Sequence, residues 1–313
     1  MTLISGTTSV FIDGAAGTTG LEIAARLAGR SEFSLITLGD DQRKDQRARA
    51  QALNDADVVI LCLPDDAAIE AVSLIANDRT RIIDASTAHR VAQGWTYGFP
   101  ELIGRDAVAA AMRITNPGCY PTGFLALLAP LVRANLLPVA WPYTCHAVSG
   151  YSGGGKALIE RVTREPGIAW RGYALDFGHK HVPEMQTYAH LAIAPLFAPA
   201  VVAAYRGMVV EIPLPLSIMP GAPDAALLRD TLRAFYAGSP VVSVADDTSD
   251  SEILLREGAP AWDGLRLHVI ASKDGAQVRL VAELDNLGKG ASGAAVQSLN
   301  LVSGLPETAG LVL

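Results

Sequence analysis

The chain has 313 residues, half of them hydrophobic and 18% charged, with 25 Lys and Arg against 32 Asp and Glu for a net charge of −7. That length allows a sizeable core and about two domains, and so few charges argue against long disordered tracts. No basic run marks a nucleic-acid face, no apolar run spans a bilayer, and three cysteines without framework spacing argue for a reducing compartment.

The N-terminus has no basic stretch followed by an apolar core, so we expect a cytoplasmic protein. The first part of the chain alternates strand and helix patterns. Val10-Phe11-Ile12 reads as a strand and residues 21–27 as a helix, closed by Gly29 just past its end. Strands follow at 33–38, 58–63 and 81–84, with an Ala-rich helix opening at Asp65 and Asp66. Strands that are apolar throughout and alternate with helices predict a doubly wound α/β domain on a parallel sheet. After Cys119 the texture changes, with one helix and then a series of strands. Strand patterns at 138–149, 208–216, 265–270 and 277–284 lose the alternation and predict an α+β domain on a mixed or antiparallel sheet. A last apolar helix over 294–302 has the pattern to pack back on the first domain.

Four stretches carry chemistry. The first strand runs into Asp13-Gly14-Ala15-Ala16-Gly17-Thr18-Thr19-Gly20 and then a helix. Glycines let the backbone approach a pyrophosphate, and the helix start offers amide donors and positive potential. The spacing is G-x-x-G-x-x-G, and its strand–loop–helix context points to a nicotinamide dinucleotide. After the second strand, Asp40 and Asp41 favour NAD and Arg43 and Lys44 favour NADP, so the residues leave that choice open. Asp84-Ala85-Ser86-Thr87-Ala88-His89-Arg90 ends the fourth strand, where doubly wound folds place ligands, and Arg90 suits an anionic group.

The run Asn116-Pro117-Gly118-Cys119-Tyr120-Pro121-Thr122-Gly123 joins a strand pattern to a helix pattern that begins just after Pro121. A cysteine at such a turn gains from the helix dipole, which favours the thiolate nucleophile. Cys62 and Cys145 lie in apolar strand patterns and read as core. Downstream, His179-Lys180-His181-Val182-Pro183-Glu184 gathers two imidazoles, an ammonium and a carboxylate. That set can supply a base for the thiol, with Glu184 to orient or steady it. No closely spaced set of four ligands suggests a metal. Gly150 to Ala157 matches G-x-x-x-x-G-K, but Ala157 stands where a nucleotide triphosphatase needs Ser or Thr. The loop can still bind a phosphate or a carboxylate.

Gly14 to Gly20, Asp84 to Arg90, Asn116 to Gly123 and His179 to Glu184, with Tyr97-Gly98-Phe99-Pro100-Glu101 and Asp285 to Ala291, occur in the order seen in the N-acetyl-γ-glutamyl-phosphate reductases, and the length resembles their short form. The resemblance implies NADPH-dependent reduction of N-acetyl-L-glutamyl 5-phosphate to the 5-semialdehyde, through a cysteine thioester, in arginine biosynthesis. It implies a fold like aspartate-semialdehyde dehydrogenase, with residues 1–118 and 287–313 holding the cofactor and 119–286 forming the catalytic and oligomerisation domain of a homodimer or homotetramer. Cys119 would match the nucleophile and His181 the catalytic histidine, with Glu184 beside them. Arg90, Asn116, Ser149, His179 and Lys180 would face the anionic acyl phosphate. Gly14, Ala16, Gly17, Thr18, Thr19, Gly20 and Ser86 would hold the cofactor, with Asn286 near the nicotinamide. The chain departs from the long form at Ser86 to Arg90, where Ser-Ala-Asp-Phe-Arg is usual, and at Lys180, where an arginine is usual. The near alternative is aspartate-semialdehyde dehydrogenase or a related acyl-phosphate reductase. The distant one is a non-catalytic NAD(P)-binding sensor.

Overall fold

The computed structural model describes residues 6–39, 41–43, 45–221, 223–246 and 252–313. The chain divides into two compact units, one of residues 1–117 and 291–311, the other of 118–290 and 312–313. The first unit contains, in chain order, β1 (Thr8–Asp13), α1 (Thr18–Leu27), β2 (Phe33–Ile36), α2 (Gln46–Asp55), β3 (Val58–Leu61), α3 (Asp65–Leu74), β4 (Arg81–Asp84), β5 (Thr96–Tyr97), α4 (Pro100–Ile103), α5 (Arg105–Ala110) and β6 (Arg113–Thr115). The six strands pair in parallel in the order β2-β1-β3-β4-β6-β5.

Side-chain alternation along these strands feeds two cores. Val10, Val58, Ile60 and Ile83 pack with Ile23 of α1, whereas Phe11, Val59, Leu61 and Ile82 pack with Leu53 of α2 and Ala68 of α3. Both faces are therefore covered, as the unbroken apolar strands predict. Helix α1 ends as read: Gly29 takes φ 78, which a glycine accepts without strain. Helix α2 was not legible, because its sequence is polar and buries only Ala52 and Leu53; Asp45 starts it by accepting from the Arg47 and Ala48 amides.

The second unit begins with α6 (Cys119–Arg133) and continues through β7 (Thr144–Gly150), a 3-10 turn (Tyr151–Gly154), α7 (Gly155–Arg164), β8 (Trp170–Gly172), α8 (Val182–Tyr188), β9 (Leu196–Val202), β10 (Met208–Leu214), α9 (Ala225–Phe235), β11 (Val242–Val244), β12 (Leu265–Ala271) and β13 (Val278–Leu284). Its seven strands form a mixed sheet, β11-β12-β13-β10-β7-β9-β8, with β7/β9 and β11/β12 parallel and the other pairs antiparallel. The strand expected over 138–149 is shorter, because residues 138–143 stay irregular. Helix α6 starts at Cys119 itself rather than after Pro121: proline is well placed in a first turn, where its missing N–H costs nothing. Gly123 lets α6 approach the sheet, since a Cβ there would lie 2.8 Å from the Val210 side chain and 3.3 Å from that of Ala282. The last helix, α10 (Gly293–Val302), belongs to the first unit, where Ala295, Val296 and Leu299 join the core of Val10 and Ile60. Among the described residues no helix is long and apolar enough to cross a membrane.

Candidate active site

In the second unit the site is built around the start of α6. Gly118 caps the helix in an extended conformation and delivers Cys119, half-buried, to the first helical position. Amides at a helix start lack intrahelical acceptors and carry partial positive charge, so an anionic sulfur is favoured there. The turn is pinned from both sides. The Thr122 hydroxyl donates to the Gly118 carbonyl at 2.9 Å, and the Gly118 amide donates to a carboxylate oxygen of Glu184 at 2.8 Å. Glu184 is 1% exposed. It thus holds the backbone just ahead of the cysteine, a task the sequence does not reveal.

The His-Lys-His run precedes α8, with His181 buried at the helix cap, His179 half-buried and Lys180 exposed. The His179 and His181 rings meet edge to face at 4.6 Å, and both lie about 6 Å from the Tyr120 ring, the residue after the cysteine. Ser149, at the end of β7, is buried. Cys119, Tyr120, His179, His181 and Glu184 are therefore gathered in one place.

Behind them three chain segments are tied together. Asn286 accepts from the Gly207 amide at 3.0 Å and donates to the Ser152 hydroxyl at 2.9 Å. Asp285 pairs with Arg206 at 3.0 Å and also accepts from the Leu287 amide. The Asp285 carbonyl takes the amides of Gly288 and Gly290. Gly290 then lies against the nucleophile: a Cβ there would sit 2.9 Å from the Cys119 Cβ. So the 3-10 turn of the glycine-rich loop, the 204–207 turn and the 285–290 segment form one brace. Asn286 has both ends of its amide occupied in that brace. Arg206 was invisible in the sequence, since nothing in its neighbourhood marks it as paired.

In the first unit the Gly14 to Gly20 loop links β1 to α1. Gly14 has φ 90, and a Cβ there would run into the Cys62 carbonyl; one on Gly20 would approach the Gly14 carbonyl at 2.5 Å. The loop is thus shaped by glycine at the points of closest packing, and Gly17 caps α1. Beside it opens a cavity of about 480 Å³ lined by Asp13, Gly14, Ala16, Leu38, Arg43 and Arg49 among others. Such a concave space next to a helix N-terminus fits the pyrophosphate and nucleoside of a dinucleotide. Asp13 is paired with Arg49 at 2.9 Å. Asp41 is exposed, and Asp40 and Lys44 lie outside the described residues.

At the end of β4, fully buried Asp84 accepts from the Ser86 amide and hydroxyl at 2.8 and 2.7 Å and contacts His89 Nδ1 at 2.6 Å. His89 stacks on Trp95, with centroids 4.2 Å apart. The loop carrying Ser86 and buried Arg90 is therefore fixed. Asn116 is also buried, donating to the Ala291 carbonyl at 3.0 Å. Cys62 and Cys145 are the other two free cysteines. Burial, with the carboxylates of Asp84 and Asp13, pushes the Cys62 thiol up to about 12, and burial raises that of Cys145 further. Among the described residues no group of three or more His, Cys, Asp or Glu is placed to hold a metal ion.

Comparison with known proteins gives concordant matches. Residues 9–111 match the semialdehyde dehydrogenase NAD binding domain, and residues 119–286 the semialdehyde dehydrogenase dimerisation domain. The chain is 49% identical to an N-acetyl-gamma-glutamyl-phosphate reductase of Trichormus variabilis and 48% identical to N-acetyl-gamma-glutamyl-phosphate reductase 2 of Pseudomonas putida, in each case over 96% of this chain and 98% of the relative. Among solved structures, aspartate semialdehyde dehydrogenase II of Vibrio cholerae superposes with a TM-score of 0.70 at 18% identity, covering 95% of this chain and 98% of that one. The Candida albicans aspartate semialdehyde dehydrogenase gives 0.63 at 15%, covering 95% and 98%. At those identities the structural likeness concerns the fold.

Proposed function

The chain belongs to the N-acetyl-gamma-glutamyl-phosphate reductase family, and from that premise we propose that it reduces N-acetyl-L-glutamyl 5-phosphate to N-acetyl-L-glutamate 5-semialdehyde and phosphate, in arginine biosynthesis. The observation that carries the chemistry is Cys119 at the first position of α6, its turn held by Glu184 and its flank closed by Gly290. The Cys119 sulfur attacks the acyl carbon, the carbon–oxygen bond to phosphate breaks, and a thioester remains on the protein. The nicotinamide, when bound, supplies the hydride that takes this acyl group to the aldehyde level. His181 provides the proton taken up as the thiolate is released, a role supported by its burial beside Tyr120. Glu184 is a positioning residue for the nucleophile. Arg90, Asn116, Ser149 and Lys180 are assigned to the anionic substrate, while His179, its Nδ1 accepting from the His181 amide and its Nε2 3.3 Å from the Tyr173 hydroxyl, is assigned to holding the pair in place. Gly14, Ala16, Gly17, Thr18, Thr19 and Gly20 are assigned to the cofactor, with Ser86 beside them.

The preferred cofactor is NADPH. Support comes from Arg43 and Arg49 on the wall of the cavity beside the glycine loop, where a guanidinium can fork onto a 2′-phosphate. We place the enzyme in the cytoplasm as a homodimer or homotetramer, in keeping with three free cysteines and a family model described as a dimerisation domain.

The test is phosphate-dependent oxidation of the semialdehyde. The wild type should form NADPH only when phosphate is present, and faster than it oxidises aspartate semialdehyde. Cys119→Ser should abolish turnover while cofactor still binds, and iodoacetamide should label Cys119 ahead of Cys62 and Cys145. Preference for aspartate semialdehyde would favour the other reductase. Substantial turnover by Cys119→Ser would overturn the thioester route.

A further inference from the structure

A line of hydrogen bonds runs away from the two histidines, and its direction can be worked out. The His181 backbone N–H donates to His179 Nδ1 at 3.1 Å, so Nδ1 is an acceptor and carries no proton. A neutral imidazole with a bare Nδ1 has its proton on Nε2. His179 Nε2 lies 3.3 Å from the Tyr173 hydroxyl. At the far end, the Tyr120 hydroxyl lies 3.0 Å from the Ala200 carbonyl, which can only accept, so the Tyr120 proton points there. The Tyr120 oxygen is then left to accept from the Tyr173 hydroxyl at 3.3 Å. Tyr173, having given its own proton to Tyr120, accepts from His179 Nε2–H. Every link donates the same way, from His181 through His179, Tyr173 and Tyr120 to β9.

The other states of His179 break this line. A proton on Nδ1, in the second tautomer or in the imidazolium, would face the His181 N–H donor to donor. Nor can the tyrosines rescue it by ionising. Burial is the largest cause raising both phenols, Tyr173 to about 12 and Tyr120 further. Against the His179 ring lie Tyr173, Tyr120 and His181, with Phe197 edge-on at 5.0 Å, and the Cys119 sulfur acts electrostatically on both phenols.

We infer that Tyr173 is a positioning residue of the reaction: it accepts the Nε2 proton of His179, holds that ring as the neutral Nε2–H tautomer, and so leaves His181 alone to exchange protons with the reacting atoms. The inference deepens the reductase reading and rests on it for the word reaction, but its first measurement needs no substrate. In protein labelled with ¹⁵N-histidine, with His179 assigned by loss of its signals in His179→Gln, the His179 nitrogens should report a protonated Nε2 and a bare Nδ1. They should not titrate across the range where histidine ordinarily does, about pH 5.5 to 7.5. In Tyr173→Phe the same ring should begin to titrate or to mix tautomers. With the semialdehyde as substrate, kcat should fall roughly three- to tenfold, the range set by one net hydrogen bond, while KM stays within about twofold. A wild-type His179 that titrates, or that carries its proton on Nδ1, overturns the inference. So does a Tyr173→Phe enzyme with an unaltered His179 spectrum and unchanged kcat. A protein that shows the expected spectra but no reductase turnover would instead count against the proposed function.

Discussion

Replacing Gly290 by alanine isolates the packing of the nucleophile from everything else the site does. The new methyl would lie 2.9 Å from the Cys119 Cβ and 3.0 Å from the Asp285 carbonyl oxygen, where ordinary contact begins at 3.4 Å. About half an ångström must be found. Asp285 resists, because its carbonyl holds two amides and its carboxylate is paired with Arg206. Cys119 is the part that moves. Overpacking of this kind costs about 1–3 kcal/mol, or roughly 2–6 °C in Tm for a protein of this size. Because a misplacement of about 1 Å can cost about a hundredfold in rate, half that should lower kcat roughly tenfold. Gly98→Ala is the control. Its methyl would meet Ile114 at 2.9 Å and the Thr115 carbonyl at 3.1 Å, an equal crowding within the first unit. It should lower Tm similarly and leave kcat within about twofold. Thermal melts and turnover of the semialdehyde measure both. If Gly290→Ala melts lower but turns over like the wild type, the glycine does not set the cysteine's position and the reasoning fails.

Three further outcomes are expected. Cys62 is raised to about 12 in the folded protein from an ordinary 9.0. The unfolded chain therefore loses this proton first as pH rises, and stability falls between about pH 9 and 12 by about 1.4 kcal/mol per pH unit for this group. Cys62→Ala should flatten urea-derived stability over that window by this amount; an unchanged slope would show that the thiol is not held neutral. Arg206→Met leaves the buried Asp285 carboxylate without its cation and should cost about 3 kcal/mol. Adding Asp285→Asn should recover part of that in a double-mutant cycle, and strict additivity would deny the pair. Arg43→Ser should raise KM for NADPH about tenfold with KM for NADH little changed; equal effects on both would remove the 2′-phosphate assignment.

What the sequence disclosed follows from how locally each feature is encoded. The parallel sheet was readable because Val58 to Leu61 is apolar on both faces, and the glycine loop because turn residues follow a strand directly. Cys119 stood out because its proline–glycine frame is contiguous. Features made by distant residues were not readable. Nothing at Glu184 says that it reaches the Gly118 amide, nothing at Tyr173 marks it as the partner of His179, and the Arg206–Asp285 pair spans separate turns. Asn286 is a case of partial legibility. Its place in a family-like run marks it as a candidate beside the nicotinamide, whereas its bonds to Ser152 and Gly207 are ones that only the folded chain brings together. Helix α2 escaped because a polar helix is held by its cap rather than by an apolar stripe.

The brace behind Cys119 has a consequence for the order in which the protein comes into being. The cysteine is made early on the ribosome, but the carboxylate that pins its turn lies 66 residues beyond Gly118 and the amide that locks the glycine-rich turn lies 134 residues beyond its serine partner. Contacts of such separation form late, after the loops between them have closed. An emerging chain therefore carries the sulfur well before it carries the setting that makes the sulfur a nucleophile. The packing of Gly290 on Cys119 is complete only when residues 285–290 have been synthesised and seated, so we expect reactivity toward a small alkylating probe to change at that point and to serve as a clock for completed folding.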